Sequence, residues 1–350
     1  MSSSSTPVVT VIVLNYNGMQ FLRTCFDSLA DCTYPRLELL MVDNGSTDDS
    51  IRFVRENYPL VQVLNSGGNI GYSAGNNLGI AAAKGEYVVL LNNDVEVTPG
   101  WVEPLVEEFE SDPSIAACQP KILHLVDRHK FEYAGAAGGW MDLFGYPFLR
   151  GRVFDTTEED RGQYDDSVDL FWTSGAAMAI RKSALEHTGD LDVDFVHHME
   201  EIDLCWRMHL QGYRLRVRPD AVIYHYAGGT IKPDSYAKIY WNHRNSLLML
   251  LKNLGWPRLS WVLPVRLALD AVLLLKSLLT LDLKRLAAVW AGYFWLAVHP
   301  RLIWRKRRVV QAARQVTDRA LDPYIYHGSL VLTYYLLGRK TFREIQGPAE

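Results

Sequence analysis

Cysteine is scarce in this chain: four residues in 350, at Cys25, Cys32, Cys118 and Cys205. None are spaced like a zinc or redox motif, and nothing suggests a disulfide framework. An excess of one charge is missing too. Thirty-six Lys and Arg stand against 40 Asp and Glu, a net charge of −4 that gives no reason to expect a nucleic-acid partner. The opening Met1-Ser-Ser-Ser-Ser-Thr-Pro7 lacks the basic and apolar segments of a signal peptide. Residues 1–7 therefore read as a disordered N-terminus on a cytoplasmic protein. No internal repeat is evident. After Trp256 the chain is rich in Leu, Val, Ala and Trp, yet its longest segment free of Asp, Glu, Lys and Arg runs only from Leu286 to Pro300. That falls short of the ~20 residues a spanning helix needs. At 48% hydrophobic, the chain can bury one sizeable core and carry an appendage.

What is present is a series of short apolar runs that end abruptly in polar loops. Val88-Val-Leu-Leu-Asn-Asn-Asp-Val-Glu-Val97 places Asp94 just past a strand buried on both faces. Open α/β sheets bind ligands at that rim, and a carboxylate there suits a hard divalent cation. A turn aspartate is the alternative reading of this segment alone. Val8 to Leu14 is another such run, ending in Asn15-Tyr-Asn-Gly18. Leu37 to Val42 ends in Asp43-Asn-Gly-Ser-Thr-Asp-Asp49, and Val61 to Leu64 ends in Asn65-Ser-Gly-Gly-Asn-Ile-Gly71. Helical patterns over Gln20–Ala30 and Asp48–Asn57 lie between them, which argues βαβ units and a mainly parallel sheet. Each run then delivers a polar loop to the same rim, as a nucleotide cradle would. Gly67-Gly-Asn-Ile-Gly71 follows a late strand and does not fit the dinucleotide fingerprint.

These motifs, with Glu200-Glu-Ile-Asp-Leu-Cys-Trp-Arg207 and Val222-Ile-Tyr-His225 following in order, resemble the family 2 glycosyltransferases. The bacterial rhamnosyltransferase-like subgroup is the most similar. The resemblance spans roughly residues 7 to 230. It implies a GT-A type nucleotide-sugar-binding fold in a catalytic domain over 8–230, and an inverting, metal-dependent transfer from a nucleoside-diphosphate sugar.

The resemblance also distributes roles. Asn15, Tyr16 and Asp43 would hold base and ribose, although Asp43-Asn44-Gly45 also encodes an Asx-turn. Asn69, Gly71, Asn76, Asn92 and Asn93 would line the nucleotide, with Asn92 standing where the family often has the first acid of Asp-x-Asp. Asp94 and His225 would ligate Mn²⁺ or Mg²⁺, since oxygen plus one imidazole suits those ions better than zinc. The adjoining Gly228-Gly229 would belong to a mobile loop over the site. In the acid pair, Glu201 takes the position of the base and Glu200 the supporting one. Direct displacement needs such a group to accept the acceptor's proton. Trp172, Gly175, Asp203 and Arg207 would serve sugar or acceptor. For Trp172 a place in the core is nearly as good a reading, and Asp203 and Arg207, one helical turn apart, could instead brace their helix.

Residues 231–350 read as a helical C-terminal region. Its apolar faces, its tryptophans and the basic Arg301-Leu-Ile-Trp-Arg-Lys-Arg-Arg308 suit a membrane surface. The alternative is an ordinary helical subdomain packed on the sheet. The expected donor is a dTDP- or UDP-sugar and the expected acceptor a glycan or lipid-linked molecule, handled at the cytoplasmic face. Two competing classes are a sugar-phosphate nucleotidyltransferase and a non-catalytic nucleotide-sugar-binding scaffold at the membrane. The first would need Lys or Arg in its first loop, and Asn15-Tyr-Asn-Gly-Met-Gln20 has none.

Overall fold

The computed structural model describes residues 6–226 and 235–347. The first half alternates strand and helix: β1 Val9–Asn15, α1 Met19–Ala30, β2 Leu37–Asp43, α2 Ser50–Asn57, β3 Gln62–Asn65, α3 Tyr72–Ala82, β4 Tyr87–Asn92. Then come β5 Val95–Val97, α4 Val102–Ser111 and β6 Ile115–His124. Short strands follow as β7 Gly139–Asp142, β8 Pro147–Leu149, β9 Arg152–Val153 and β10 Thr156–Thr157. The main sheet's share of the chain closes with β11 Ala177–Arg181, α5 Lys182–Thr188, α6 Glu200–Leu210 and β12 Arg214–His225. The remainder is α7 Tyr236–Asn253, α8 Trp256–Leu279, α9 Leu283–Val298, α10 Pro300–Ala313, β13 Ile325–Tyr326, α11 Leu330–Tyr335 and α12 Phe342–Gln346.

The main sheet has the order β3-β2-β1-β4-β11-β6-β12-β5. Strands β3, β2, β1 and β4 run parallel, β11 is antiparallel to both β4 and β6, and β12 is again parallel to β6. Side chains of β1 show why its sequence is continuously apolar. Val11 and Val13 face one layer with Leu22, Phe26 and Trp101, while Ile12 faces the other with Val42, Ile80 and Leu90. Helix α3 lies close on that second face because of two glycines. A Cβ at Gly75 would stand 2.6 Å from Leu14, and one at Gly79 would stand 2.4 Å from Ile12. The predicted strands and helices match these elements within two residues. Asp48 falls outside α2 because its carboxylate accepts from the Ser50 and Met19 backbone N–H groups instead.

The C-terminal region is helical but not separate. Strand β13 pairs with β7 and completes a second sheet, β10-β9-β8-β7-β13, which sequence periodicity did not reveal. Phe342 of α12 inserts among Trp140, Phe148 and Tyr164, with ring centroids 5.4 to 5.8 Å away. Beneath α7, the buried Asp203 carboxylate receives Arg207 at 2.9 Å, Lys252 at 2.7 Å and Asn253 at 2.9 Å. Lys252 also reaches Asp192, which Lys306 of α10 binds from the other side. At the other end, Thr6 and Pro7 are held, their carbonyls accepting from Arg36 and Tyr34.

Phe342→Ala should therefore destabilise the whole molecule by about 3–5 kcal/mol, the usual cost of emptying a buried aromatic site. Urea unfolding should show a single cooperative transition at lower midpoint. An unchanged midpoint, or a second transition confined to the variant, would mean that the C-terminal segment folds apart.

Candidate active site

Strands β1, β2 and β3 end in register, with Asn15 opposite Asp43 and Asp43 opposite Asn65; Asn92 ends β4 beside Leu14. Their loops border a cleft of 540 Å³. Tyr16, Asn44, Asn69 and Tyr72 line it from the β1–β3 loops and α3, and Asn92, Asn93 and Asp94 from the end of β4. Asn15 is the fastener of this rim. Its amide donates to Asp43 at 3.3 Å and to the Ser46 hydroxyl at 3.1 Å, while its oxygen accepts from Asn93 at 2.7 Å. The other Asp43 oxygen accepts the Ser46 N–H at 3.0 Å, so the Asx-turn reading holds for that residue.

Three of the residues expected at the nucleotide have their side chains engaged within the protein. Asn15 and Asp43 are fully buried and spent on bracing, and Asn76 is buried inside α3, donating to the Tyr72 carbonyl. Of the first two loops, Tyr16 and Asn44 are the residues facing the cleft. Asn69 does line it, closing its own turn by accepting from the Gly71 N–H at 3.0 Å, with Gly71 in a left-handed conformation.

Asp94 and His225 come together as expected, Nε2 to Oδ1 at 3.0 Å, although they lie on different strands' ends. Behind them stands Glu132, which sequence patterning did not single out. One of its oxygens is 3.2 Å from His225 Nδ1, and the other accepts the backbone N–H groups of Ala134 and Gly135. Burial alone would lower the imidazole pKa, but the Glu132 and Asp94 charges outweigh it and raise the value to about 10. One ring nitrogen thus faces the Glu132 carboxylate and the other the Asp94 carboxylate; a carboxylate on the far nitrogen is also how metal-ligating histidines are commonly oriented. The donor set, one carboxylate and one imidazole, fits a cation that takes its remaining ligands from substrate oxygens and water. Among the described residues, no group of three or more His, Cys, Asp or Glu could hold a metal unaided.

The acid pair opens α6 on an unusual stretch of backbone. Val196, His198 and Met199 all have φ between 65° and 71°. Such conformations cost roughly 1–3 kcal/mol each in non-glycine residues and persist only where neighbours impose them. Helix α7 imposes them here. The Asn245 amide donates to the carbonyls of Phe195, His197 and His198 at 2.9, 2.8 and 2.7 Å, and Arg244 binds those of Asp194 and Phe195. The result carries Glu200 and Glu201 to the cleft wall, each with a buried carboxyl oxygen that has no protein partner. Burial raises the pKa of both above the ordinary carboxylate range, and the neighbouring Glu201 charge raises Glu200 further. Gly175 lies against them. A side chain there would meet the Tyr72 hydroxyl, which donates to the Gly175 carbonyl at 2.8 Å.

The other expected sugar and acceptor contacts lie elsewhere. Trp172 is core: its indole donates to the Trp140 carbonyl and its ring covers Gly139 so tightly that a Cβ there would be 2.2 Å away. Asp203 and Arg207 belong to the buried network under α7, and the Arg207 guanidinium is spent on Asp203 and on the carbonyls of Thr188, Gly189 and Asp190. Gly228 and Gly229 lie outside the described residues. Neighbours on the cleft that sequence reasoning passed over include Tyr133, Arg152, Lys238 and Asn242. Lys238 and Asn242 share one face of α7 at i, i+4 spacing, a signal visible only once α7 is known to pass the cleft.

Comparison with known proteins bears on this geometry. The family model described as glycosyl transferase family 2 matches residues 10–189. The chain is 27% identical over 301 residues to the N-acetylglucosaminyl-diphospho-decaprenol L-rhamnosyltransferase of Mycobacterium tuberculosis, covering 80% of this chain and 97% of that one. It is 30% identical over 223 residues to the pre-mycofactocin glycosyltransferase of the same organism, covering 62% of this chain and 42% of that one. Among solved structures, GalNAc-T7 with UDP, GalNAc and Mn²⁺ superposes with a TM-score of 0.56 at 17% identity, over 71% of this chain and 48% of that one. A Pyrobaculum calidifontis mannosyltransferase in complex with GDP-Man and Mn²⁺ does so with 0.52 at 19% identity, over 89% and 86%. The likeness to the solved structures is one of fold: α/β, of the GT-A type.

Two outcomes follow from the acid pair and its clamp. Carboxyls with raised pKa bind protons more tightly when folded than when unfolded, so their contribution to stability is complete at low pH and is lost as pH rises through the folded-state values. Melting temperature should fall as pH climbs beyond the ordinary glutamate range, and Glu200→Gln should flatten that fall; a steeper one would contradict the shared burial. Asn245→Ala should cost about 1–3 kcal/mol of stability and lower kcat at least about tenfold with donor KM little changed. A variant that loses only stability would show that Asn245 does not position the acids.

Proposed function

The chain belongs to glycosyltransferase family 2, and from that premise we propose that it transfers a sugar with inversion from a nucleoside-diphosphate sugar to a lipid-linked acceptor. The observation that carries this reading is the cleft itself. Glu201 lines one cavity together with Asp94, His225 and the loops of the nucleotide rim.

The chemistry assigned to these residues is a single displacement. The acceptor hydroxyl oxygen forms a bond to the anomeric carbon as the bond from that carbon to the leaving diphosphate oxygen breaks. Glu201 takes the hydroxyl proton, and its raised pKa places its basicity nearer neutrality, where a general base works best. Glu200, still more strongly held in its protonated form by burial, keeps a second negative charge away from Glu201. Asp94 and His225 would hold Mn²⁺ or Mg²⁺, which supplies positive charge to the departing diphosphate. Tyr16, Asn44 and Asn69 would bind the nucleotide, with dTDP or UDP the expected forms and rhamnose a candidate sugar, as in the M. tuberculosis relative's name.

The lipid-linked acceptor is supported by the outer face of the C-terminal helices. Leu283, Trp290 and Phe294 form an exposed stripe along α9, and Leu275 and Leu279 do so along α8. Arg301, Arg305 and Arg308 lie exposed along α10. An apolar stripe edged by cations suits a helix lying in an anionic membrane surface. No described helix is long and apolar enough to cross a membrane. The proposed location is therefore the cytoplasmic face of the membrane, with the protein bound peripherally.

Transfer should cease in EDTA and return with Mn²⁺ or Mg²⁺, and Asp94→Ala should not be restored by either; full activity without metal would overturn the metal assignment. In sedimentation with phosphatidylglycerol-containing vesicles at low salt, the protein should pellet, and Trp290→Ser with Phe294→Ser should leave most of it in the supernatant. Wild-type protein that stays entirely in the supernatant would mean that the apolar stripe meets something other than a bilayer.

A further inference from the structure

One part of the cleft has no role in the reading above. On the side of the second sheet it is walled by Tyr133, Arg152, Phe154 and Lys238. The Arg152 guanidinium lies 3.2 Å from the Tyr133 ring centroid and the Lys238 ammonium 5.0 Å from it, so two cations flank one aromatic ring. Arg152 is fixed by donating to the carbonyls of Phe154 at 2.6 Å and Tyr133 at 2.8 Å. Burial lowers its pKa, and the Glu132 and Asp155 charges act on it without forming an ion pair among the described residues. A half-buried guanidinium that no carboxylate ion-pairs directly keeps the capacity to take an anionic ligand.

Beside that cation pair the surface turns apolar and leads outward. The Phe154 ring touches Tyr334 and Tyr335, with centroids 5.0 and 5.6 Å away. Tyr335 is half-exposed, and Leu336 and Leu337 beyond it are 75% and 67% exposed. The Lys276 ammonium of α8 lies 5.7 Å from the Tyr335 ring and so joins this patch to the exposed Leu275 and Leu279 of the same helix. Cations inside the cleft are thus continuous, through Phe154 and Tyr335, with the apolar stripe assigned to the membrane. Exposed apolar side chains gathered in this way suit contact with a lipid or a partner.

We propose that Arg152 and Lys238 form an acceptor subsite for the diphosphate group of a membrane lipid, whose hydrocarbon chain leaves the cleft over Phe154, Tyr335 and Leu336 toward α8. The inference rests on the transferase reading and specifies its acceptor: an isoprenoid-type lipid diphosphate bearing the sugar to be extended. Charge complementarity selects the head group, since two fixed cations on an aromatic face match a dianion or trianion better than a neutral sugar. Continuity of the apolar patch selects a lipid over a free sugar phosphate.

The test uses full-length protein saturated with UDP or dTDP, so that the donor's own diphosphate position is filled, and farnesyl diphosphate as the probe. Binding should persist beside the nucleotide. Arg152→Ala and Lys238→Gln should each weaken it at least about tenfold, and the double variant Tyr335→Ser, Leu336→Ser by a similar factor. Inorganic diphosphate should respond to the two cation variants and ignore the Tyr335 and Leu336 changes, while farnesol alone should bind poorly. Nucleotide affinity, measured in the same preparations, should stay within about twofold and reports folding of each variant. Competition between UDP and farnesyl diphosphate, or an equal loss of UDP affinity in Arg152→Ala, would assign the cations to the donor and overturn the proposal. So would farnesyl diphosphate affinity insensitive to Tyr335 and Leu336. Absence of UDP and dTDP binding in the wild type would instead defeat the transferase reading beneath it.

Discussion

Placing two adjacent carboxyl groups where water scarcely reaches is the costly step on which this molecule is organised. A helix N-terminus attracts carboxylates, yet burial raises the pKa of both Glu200 and Glu201, and of Glu200 the more. The backbone before them is strained at three residues. Neither feature would survive on a loop held only by its own ends. Helix α7 supplies what is needed: its Asn245 and Arg244 bind the carbonyls of the strained segment, and two turns later Lys252 joins the buried Asp203 beneath α6. The C-terminal region therefore braces the backbone that carries the acid pair and is not a separate appendage.

The same helix connects chemistry to substrate delivery. Lys238 and Asn242 on α7 face the cleft, and α9 and α10 pack against α7 while their outer sides carry the exposed tryptophans and arginines. The exposed apolar face and the wall that orients the acids are two faces of one layer of helices. An acceptor arriving from the membrane would meet α8 and the Tyr335 patch before reaching the acids, which accounts for an apolar path ending at two cations.

Much of this was legible before any coordinates. Buried parallel strands write themselves as unbroken apolar runs, and their ends mark the rim, so Tyr16, Asn92, Asn93 and Asp94 could be placed beside the cleft they line. Direction was the harder matter. Asp43 and Asn15 sit at the same rim but point into it, because three loops converge there and their backbone N–H groups need acceptors. Asp203 and Arg207 share a helix with the acids, and their i, i+4 spacing fitted a brace as well as a ligand contact; only the position of Lys252 and Asn253 on another helix decides. Glu132, Asn245 and Arg152 carried no local signal, since each acts through a partner distant in sequence.

The account turns on Glu201, and one comparison tests it most directly: single-turnover rates of Glu201→Gln and Glu200→Gln, with donor binding followed separately. Glutamine keeps size and hydrogen bonding while removing the proton acceptor. Glu201→Gln should slow the chemical step by about 10²–10⁴-fold with nucleotide-sugar affinity nearly unchanged, and Glu200→Gln should cost less. Small, equal losses in both variants would contradict the account by making the acids mere formers of the helix start, and a large loss at Glu200 alone would move the base to that residue.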